Sequence, residues 1–266
     1  MIVHNFNPIF IDLVFFQIKW YSIAYILGIM LGWLYALRII KKDENIKKTV
    51  KASDFEDLII YLIIGIIIGG RLGYVFFYNF GYYSENFYEI FKVWHGGMSF
   101  HGGLIGVIIG TYIFSITKKI NFLKFTDIIA CVAPIGLFLG RVANFINGEL
   151  FGKISSLPWA VVFPEGGNFP RHPSQIYESI LEGAVLFFLI NFFAIKKGLL
   201  EKTGYTSALF LIFYSILRVF SELFREPDKH IGYVYNYFSM GTLLSIITFF
   251  TGCIIFYFLK KNEQNN

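Results

Sequence analysis

Seven long apolar runs separated by polar stretches set the pattern of this chain. They cover residues 20–40, 58–78, 101–117, 125–147, 176–195, 204–224 and 238–259. About 20 mostly apolar residues in a helix cross the hydrocarbon layer of a bilayer, so each run predicts a transmembrane helix. The third run is short and the fourth is interrupted by polar residues. Residues 8–19 (PIFIDLVFFQIK) are too few to span and are expected at a membrane interface. The N-terminal stretch lacks a basic n-region and an A-x-A-like site, and runs into a full-length span followed by KKDENIKK, so it does not read as a cleavable signal. The pattern predicts an all-α integral membrane protein: one membrane-embedded domain over 1–266, seven transmembrane helices, and an external polar loop between spans four and five.

Composition agrees. Of 266 residues, 56% are apolar, 20% aromatic and 15% charged, against about 25% charged in average soluble domains. That excludes disordered, collagen-like and disulfide-scaffold classes and argues against a soluble globule. The net charge of +5 would hint at nucleic acid in a soluble protein; here it reads first as topology. The loops after spans one, three and five and the C-terminal tail carry 14 Lys and Arg, counting Arg38, and the opposite side carries 6. The positive-inside rule then places the N-terminus outside and the C-terminus in the cytoplasm, with no nucleic-acid partner expected. Cys131 and Cys253 lie within apolar runs without metal-ligand spacing, and read as core residues.

Three arginines fit neither side: Arg71, Arg141 and Arg218 sit within spans two, four and six, each in the last third. An ionisable residue at membrane depth faces the bundle interior, as a structural ion pair or as part of a site. Under the assigned topology all three reach the outer half of the membrane, where His101 opens span three. Tyr214, Arg218 and Glu222 share a helix face by i, i+4, i+8 spacing. Arg141 and Asn144 share another, followed by Asn147, Gly148 and Glu149. Gln175, Glu178 and Glu182 form a polar stripe on span five. Arginine's planar fork suits a phosphate and keeps its charge at any working pH, so this pattern fits an anionic phospholipid head group.

Spans one to four each hold a Gly-x-x-x-Gly pair: Gly28 and Gly32, Gly65 and Gly69, Gly106 and Gly110, Gly136 and Gly140. These predict close helix packing rather than chemistry. WHGGMSFHGGLIG (94–106) resembles a loop entering a helix, where backbone N–H groups can hold an anion. No G-K-[ST] follows it, and no G-x-S-x-G or H-E-x-x-H occurs, which weakens nucleotide-binding, serine-lipase and zinc-protease readings. His4, His95, His172 and His230 are expected in exposed segments.

Five blocks carry a family resemblance: GGRLGYVFFYN (69–79), FHGGLIG (100–106), GRVANFINGELFGK (140–153), RHPSQIYE (171–178) and YSILRVFSELFREPD (214–228). Together, in this order, they resemble the bacterial prolipoprotein diacylglyceryl transferases over essentially the whole chain. The resemblance implies a seven-span, inner-membrane enzyme that moves the diacylglyceryl group of phosphatidylglycerol to the lipobox cysteine in a prolipoprotein signal peptide, releasing glycerol 1-phosphate. It implies no cofactor and no metal. Arg141, Asn144, Glu149 and Gly152 fall on its signature positions. His101, Tyr214, Arg218 and Glu222 fall on other site positions, and Tyr21 on a tyrosine near the start of span one. Residues 19–22 read KWYS, where relatives often have His-Trp-Tyr-Gly. The expected catalytic set is His101, Arg141, Arg218, Tyr214 and Glu222. The expected substrate-binding set is Arg141, Asn144, Glu149, Gly152, Tyr21 and Arg71. His101 is the candidate base for the substrate thiol. A transporter or channel with an outer anion vestibule is the alternative, and it needs a polar path to the cytoplasm, where Asp127 is the chief candidate.

Overall fold

Helices form wherever the apolar runs predict them. The structure, a computed structural model, describes residues 2–13, 16–227, 232–234 and 238–265. Its long helices are α1 (Trp20–Lys42), α3 (Ala52–Tyr78), α5 (Phe100–Lys118), α6 (Phe122–Asn147), α7 (Ser174–Lys196), α8 (Tyr205–Glu222) and α9 (Met240–Asn265). The short helices α2 (Glu44–Thr49) and α4 (Phe80–Glu85) lie between them. Of the long helices, α1, α3, α6, α7 and α9 are long and apolar enough to cross a membrane; α5 and α8, of 19 and 18 residues, fall outside that set. The protein is therefore mostly helical with several membrane-crossing segments.

The all-α expectation needs one correction. Residues 8–19 contain two antiparallel strands, β2 (Ile9–Leu13) and β3 (Phe16–Lys19). Before them, β1 (Ile2–Val3) pairs in parallel with β4 (Val161–Val162) in the segment between α6 and α7, and β5 (Tyr233–Val234) pairs with β6 (Phe238–Ser239). These pieces are too short to raise a periodic signal.

The chain divides into two compact units, residues 37–126 and residues 1–36 with 127–266. In the first, α3 and α5 meet along glycines. A Cβ on Gly65 or Gly106 would overlap the other's carbonyl, and one on Gly73 would come within 2.7 Å of Gly102 Cα. Small residues on facing helices let backbones touch in this way. Beyond this seam, Phe114 is wedged between Tyr61 and Phe125, with ring centroids 5.0 and 5.3 Å apart.

In the second unit α6 is the common partner. Gly28 of α1 approaches it, with a Cβ there reaching 3.1 Å from Gly136 Cα. Asn191 of α7 donates to Cys131 O of α6 at 3.0 Å and accepts from Tyr35 Oη of α1 at 3.1 Å. Asp127, fully buried near the start of α6, accepts from Gly204 N (2.6 Å), Ser207 N (2.8 Å) and Ser207 Oγ (2.7 Å). A carboxylate there satisfies amides that the first turn of α8 leaves unpaired. Residues Ser179–Val185 of α7 wind as a wider π turn, a form that occurs mostly as single turns and often at functional sites.

Candidate active site

Three guanidiniums and three carboxylates meet where α6, α7 and α8 come together. Arg141 Nε lies 2.9 Å from Glu178 Oε2, and its Nη2 lies 3.6 Å from Glu182 Oε2. Arg218 Nη1 reaches Glu178 Oε2 at 3.2 Å and Glu182 Oε1 at 3.0 Å, while its Nη2 donates to Glu222 Oε1. Arg225 Nη1 lies 3.3 Å from Glu178 Oε1. Serines complete the frame: Ser221 Oγ donates to Glu182 Oε1 at 2.8 Å, and Ser239 Oγ to Glu222 Oε2 at 2.9 Å. Glu178 and Glu182 are fully buried, and Arg218 is 7% exposed. The Arg141 side chain is 19% exposed, twice the 9% of the Arg218 and Arg225 side chains. Formal charges within the six cancel, which is what allows such a cluster away from water.

The signature block forms the next layer. α6 ends at Asn147, and Gly148 (φ +71°) and Leu150 (φ +58°) turn the chain back. A leucine in that left-handed conformation costs about 1–2 kcal/mol, and the polar contacts of the turn offset it. Asn144 Nδ2 and Asn147 Nδ2 donate to Glu149 Oε1 at 2.7 and 3.2 Å. Gln175 Nε2 donates to Glu149 O at 2.6 Å, and Ser174 Oγ to Leu150 O at 3.0 Å. The hydroxyl of Tyr21, 3.1 Å from that of Tyr25, lies within electrostatic range of both Glu149 and Arg141. Tyr214 stands in the same relation to Arg218, Arg141, Glu182 and Glu178.

Gly152 has a packing reason for being glycine. A Cβ there would come within 2.7 Å of His172 Cβ and His172 O, and close to Phe224 O. Its amide donates to His172 O at 2.9 Å, and it bridges to Arg225 in antiparallel register. It therefore holds the segment that delivers Arg225. Arg171 locks the same segment, donating to Gly166 O and Gly152 O and stacking over Phe151 at 5.0 Å.

The structure thus brings together Tyr21, Arg141, Asn144, Glu149, Gly152, Tyr214, Arg218 and Glu222. Arg71 and His101 belong to the other unit. Arg71, only 3% exposed, spends its donors on main-chain carbonyls: Nε on Ile90 O at 2.8 Å, Nη1 on Gly96 O and on Gly97 O at 3.3 Å, and Nη2 on Glu89 O and on Lys92 O at 3.2 Å. Its guanidinium also lies over Tyr83 at 5.0 Å. His101 is exposed in the first turn of α5, next to Gly102, whose amide donates to the Ser99 side chain at 3.2 Å. The expectation that His4 is exposed is corrected: it is buried against Gly148, and its Nε2 donates to Phe145 O at 2.7 Å. His230 and Asp228 lie outside the described residues.

Sequence reasoning noted Glu178 and Glu182 as a polar stripe without giving them a role, and missed Arg225. The signal was present, since Arg218, Glu222 and Arg225 follow i, i+4, i+7 spacing and Glu178 and Glu182 follow i, i+4. What the sequence withheld was that these two faces meet.

The family profile described as "Prolipoprotein diacylglyceryl transferase" matches residues 8–258. A Rickettsia canadensis protein named phosphatidylglycerol--prolipoprotein diacylglyceryl transferase is 50% identical over 246 residues, 92% of this chain and 94% of its own. The protein of that name from Rickettsia felis is 50% identical over 242 residues, covering 91% of this chain and 92% of its own. One from Rickettsia bellii is 47% identical over 259 residues, covering 97% and 96%. A profile match over almost the whole length and relatives near half identity leave one assignment: this chain belongs to the prolipoprotein diacylglyceryl transferase family.

Proposed function

We propose that this protein transfers the diacylglyceryl group of phosphatidylglycerol to the lipobox cysteine of a prolipoprotein signal peptide, acting as one membrane-embedded catalytic domain in the bacterial inner membrane. The observation that carries the reading is the Arg141 guanidinium. It comes from the signature block, has Glu178 at 2.9 Å and Glu182 at 3.6 Å along one edge, and keeps more exposure than its neighbours. A fork held in this way suits a phosphate oxygen.

In this reading the thiolate sulfur attacks the glycerol carbon that bears the phosphate. A C–S bond forms, the C–O bond breaks, and the electron pair leaves on the phosphate as glycerol 1-phosphate. Arg141 stabilises the charge that develops there, with Arg218 behind it, as prearranged charges do in a dry site. Asn144, Glu149, Tyr21 and Tyr214 supply polar groups around the head group. His101 takes the thiol proton, a role given by its family position; a free thiol with pKa near 8.5 benefits from a base or a positive field. Arg71 is assigned to holding the segment after α3 instead of the substrate. Cys131 is buried ten residues before Arg141 on the same helix, about 15 Å along the axis; neither it nor Cys253 is needed, because the nucleophile is the substrate's.

The seven long helices are the seven spans of this reading, with the N-terminus outside, the C-terminus cytoplasmic and the site at outer-leaflet depth. The transport alternative loses its chief residue, since Asp127 is committed to the start of α8. The test is transfer of labelled diacylglyceryl from phosphatidylglycerol to a lipobox peptide by the purified protein and by a Cys131→Ala/Cys253→Ala variant. Both are expected to form the thioether. A folded wild-type protein that forms none overturns the function, and an inactive but folded double variant overturns the substrate-thiol mechanism.

A further inference from the structure

We propose that Glu178 is a positioning residue for this reaction, fixing Arg141 and Arg218 at the separation that the donor phosphate meets. The inference rests on the function proposed above. Glu178 is fully buried and projects from α7 into the middle of the arginines. Its Oε2 takes Arg141 Nε at 2.9 Å and Arg218 Nη1 at 3.2 Å, and its Oε1 takes Arg225 Nη1 at 3.3 Å. Among the described residues no other carboxylate pairs with all three. Glu182 pairs with Arg141 and Arg218, and Glu222 with Arg218 and Arg225. Glu182 and Glu222 are each also anchored by a serine hydroxyl, from Ser221 and Ser239. Glu178 is instead the point at which three cations from two helices and the segment after α8 are joined.

Like charges so close in a low-dielectric site repel strongly, so the carboxylate between them determines how far apart they stand. It also determines which edge of Arg141 turns outward. Glu178 lies 2.9 Å from Nε and Glu182 3.6 Å from Nη2, both on the side edge of the fork, and the Nη1 end lies opposite. Because that end would receive charge as the C–O bond breaks, Glu178 acts on the transition state through Arg141 without touching lipid.

Neutralising Glu178 separates attraction from geometry. In Glu178→Gln the cluster gains one net positive charge, so an anionic lipid is drawn in at least as well, while the spacing of the guanidiniums is lost. The experiment measures kcat and KM for phosphatidylglycerol with the full-length protein, together with its melting temperature. For Glu178→Gln, kcat is expected to fall by about tenfold or more with no rise in KM. Glu178→Asp keeps the charge but is one methylene short, and should also lose kcat. Glu182→Gln, which frees two arginines instead of three, should lose less. A folded Glu178→Gln protein with wild-type kcat overturns the proposal, as does a lowered melting temperature with kcat per folded molecule intact. Should Glu178→Gln fail to fold, Arg225→Gln decides: a fall in kcat without a rise in KM supports the tether, and an unchanged kcat overturns it. A wild-type protein that transfers nothing counts against the function, a result distinct from either.

Discussion

The side-chain amide of Asn144 donates to Oε1 of Glu149 at 2.7 Å, and the Glu149 amide returns to the Asn144 carbonyl at 3.2 Å. Side chain and backbone thus close one turn from both sides, at the point where α6 ends. Replacing the amide by a carboxylate, Asn144→Asp, sets two negative charges at hydrogen-bond distance and leaves Glu149 with Asn147 alone among these donors. Loss of the bond costs about 1–3 kcal/mol, and repulsion adds to it. Transfer is expected to fall by about 100-fold, with a lower melting temperature. The swap Asn144→Asp/Glu149→Gln restores one donor and one acceptor and should recover the melting temperature in part. No recovery would show that the pair does not act as a unit.

Arg141 and Arg218 should fail in different ways. Arg218→Ala strips a partner from Glu178, Glu182 and Glu222 together, and breaking such a buried arrangement costs about 3–5 kcal/mol. Its expected signature is loss of folded protein. Arg141→Lys keeps a charge at the less buried position but loses the planar fork. It should fold normally and transfer at about a hundredth of the wild-type rate. Thermal melting beside the transfer assay separates the two, and near-normal turnover of Arg141→Lys would remove the fork from the mechanism.

The long helices were legible because their apolar runs exceed anything a soluble core needs, and because Asn147 is followed by Gly148, a residue that stops a helix. Arg225 was not, since it follows the last apolar residue of its run and counts there as a loop charge. Its partner Glu178 is 47 residues away, a separation no periodicity reports. Arg71 was grouped with Arg141 and Arg218 by depth alone. Depth says nothing about partners, and Gly96 and Gly97, both with positive φ, carry the carbonyls that occupy it. His4 looked like part of a polar tail, yet it packs on the left-handed Gly148 that its own sequence neighbourhood does not mention.

The glycine pairs are not equivalent. Gly106→Ala drives a methyl into the Gly65 carbonyl, whereas a Cβ on Gly136 or Gly140 meets nothing within 4 Å. Gly106→Ala is expected to separate α3 from α5 and lower the yield of folded protein. Gly136→Ala and Gly140→Ala should fold like wild type. Melting temperatures in detergent check the contrast, and equal values for Gly106→Ala and Gly136→Ala would contradict the glycine seam.

Arg71→Lys removes the multiple donors that fasten residues 89–97. A lysine offers one ammonium to carbonyls that now share a five-donor fork. The segment should exchange amide hydrogens faster and be cut more readily by protease around residues 86–97, with α3 unaffected. Unchanged protection there would mean that the fork is dispensable to the segment.

His172 lies between Tyr177, whose hydroxyl is 3.3 Å from Nδ1, and Phe224, with rings 5.2 Å apart. Partial burial, and then the charge of Lys153, hold its pKa below the usual histidine value. The unfolded chain therefore binds a proton that the folded chain resists, and stability falls as pH drops below about 6.5. Above that value the effect vanishes. His172→Gln should flatten the dependence of melting temperature on pH between 7 and 5, and an identical profile for both proteins would exclude His172 as its source.

The equality of three arginines and three glutamates has a consequence for how a cycle closes. In the proposed reaction an arriving phosphodiester meets no empty positive pit: Glu178 and Glu182 already stand on one edge of the Arg141 fork, and its far end is left to the lipid. The same carboxylates stay in place as the more highly charged phosphate monoester forms, and their charge opposes its retention. A receptor that keeps its own counter-anions gives up some grip on the lipid and, in exchange, resists being poisoned by its product.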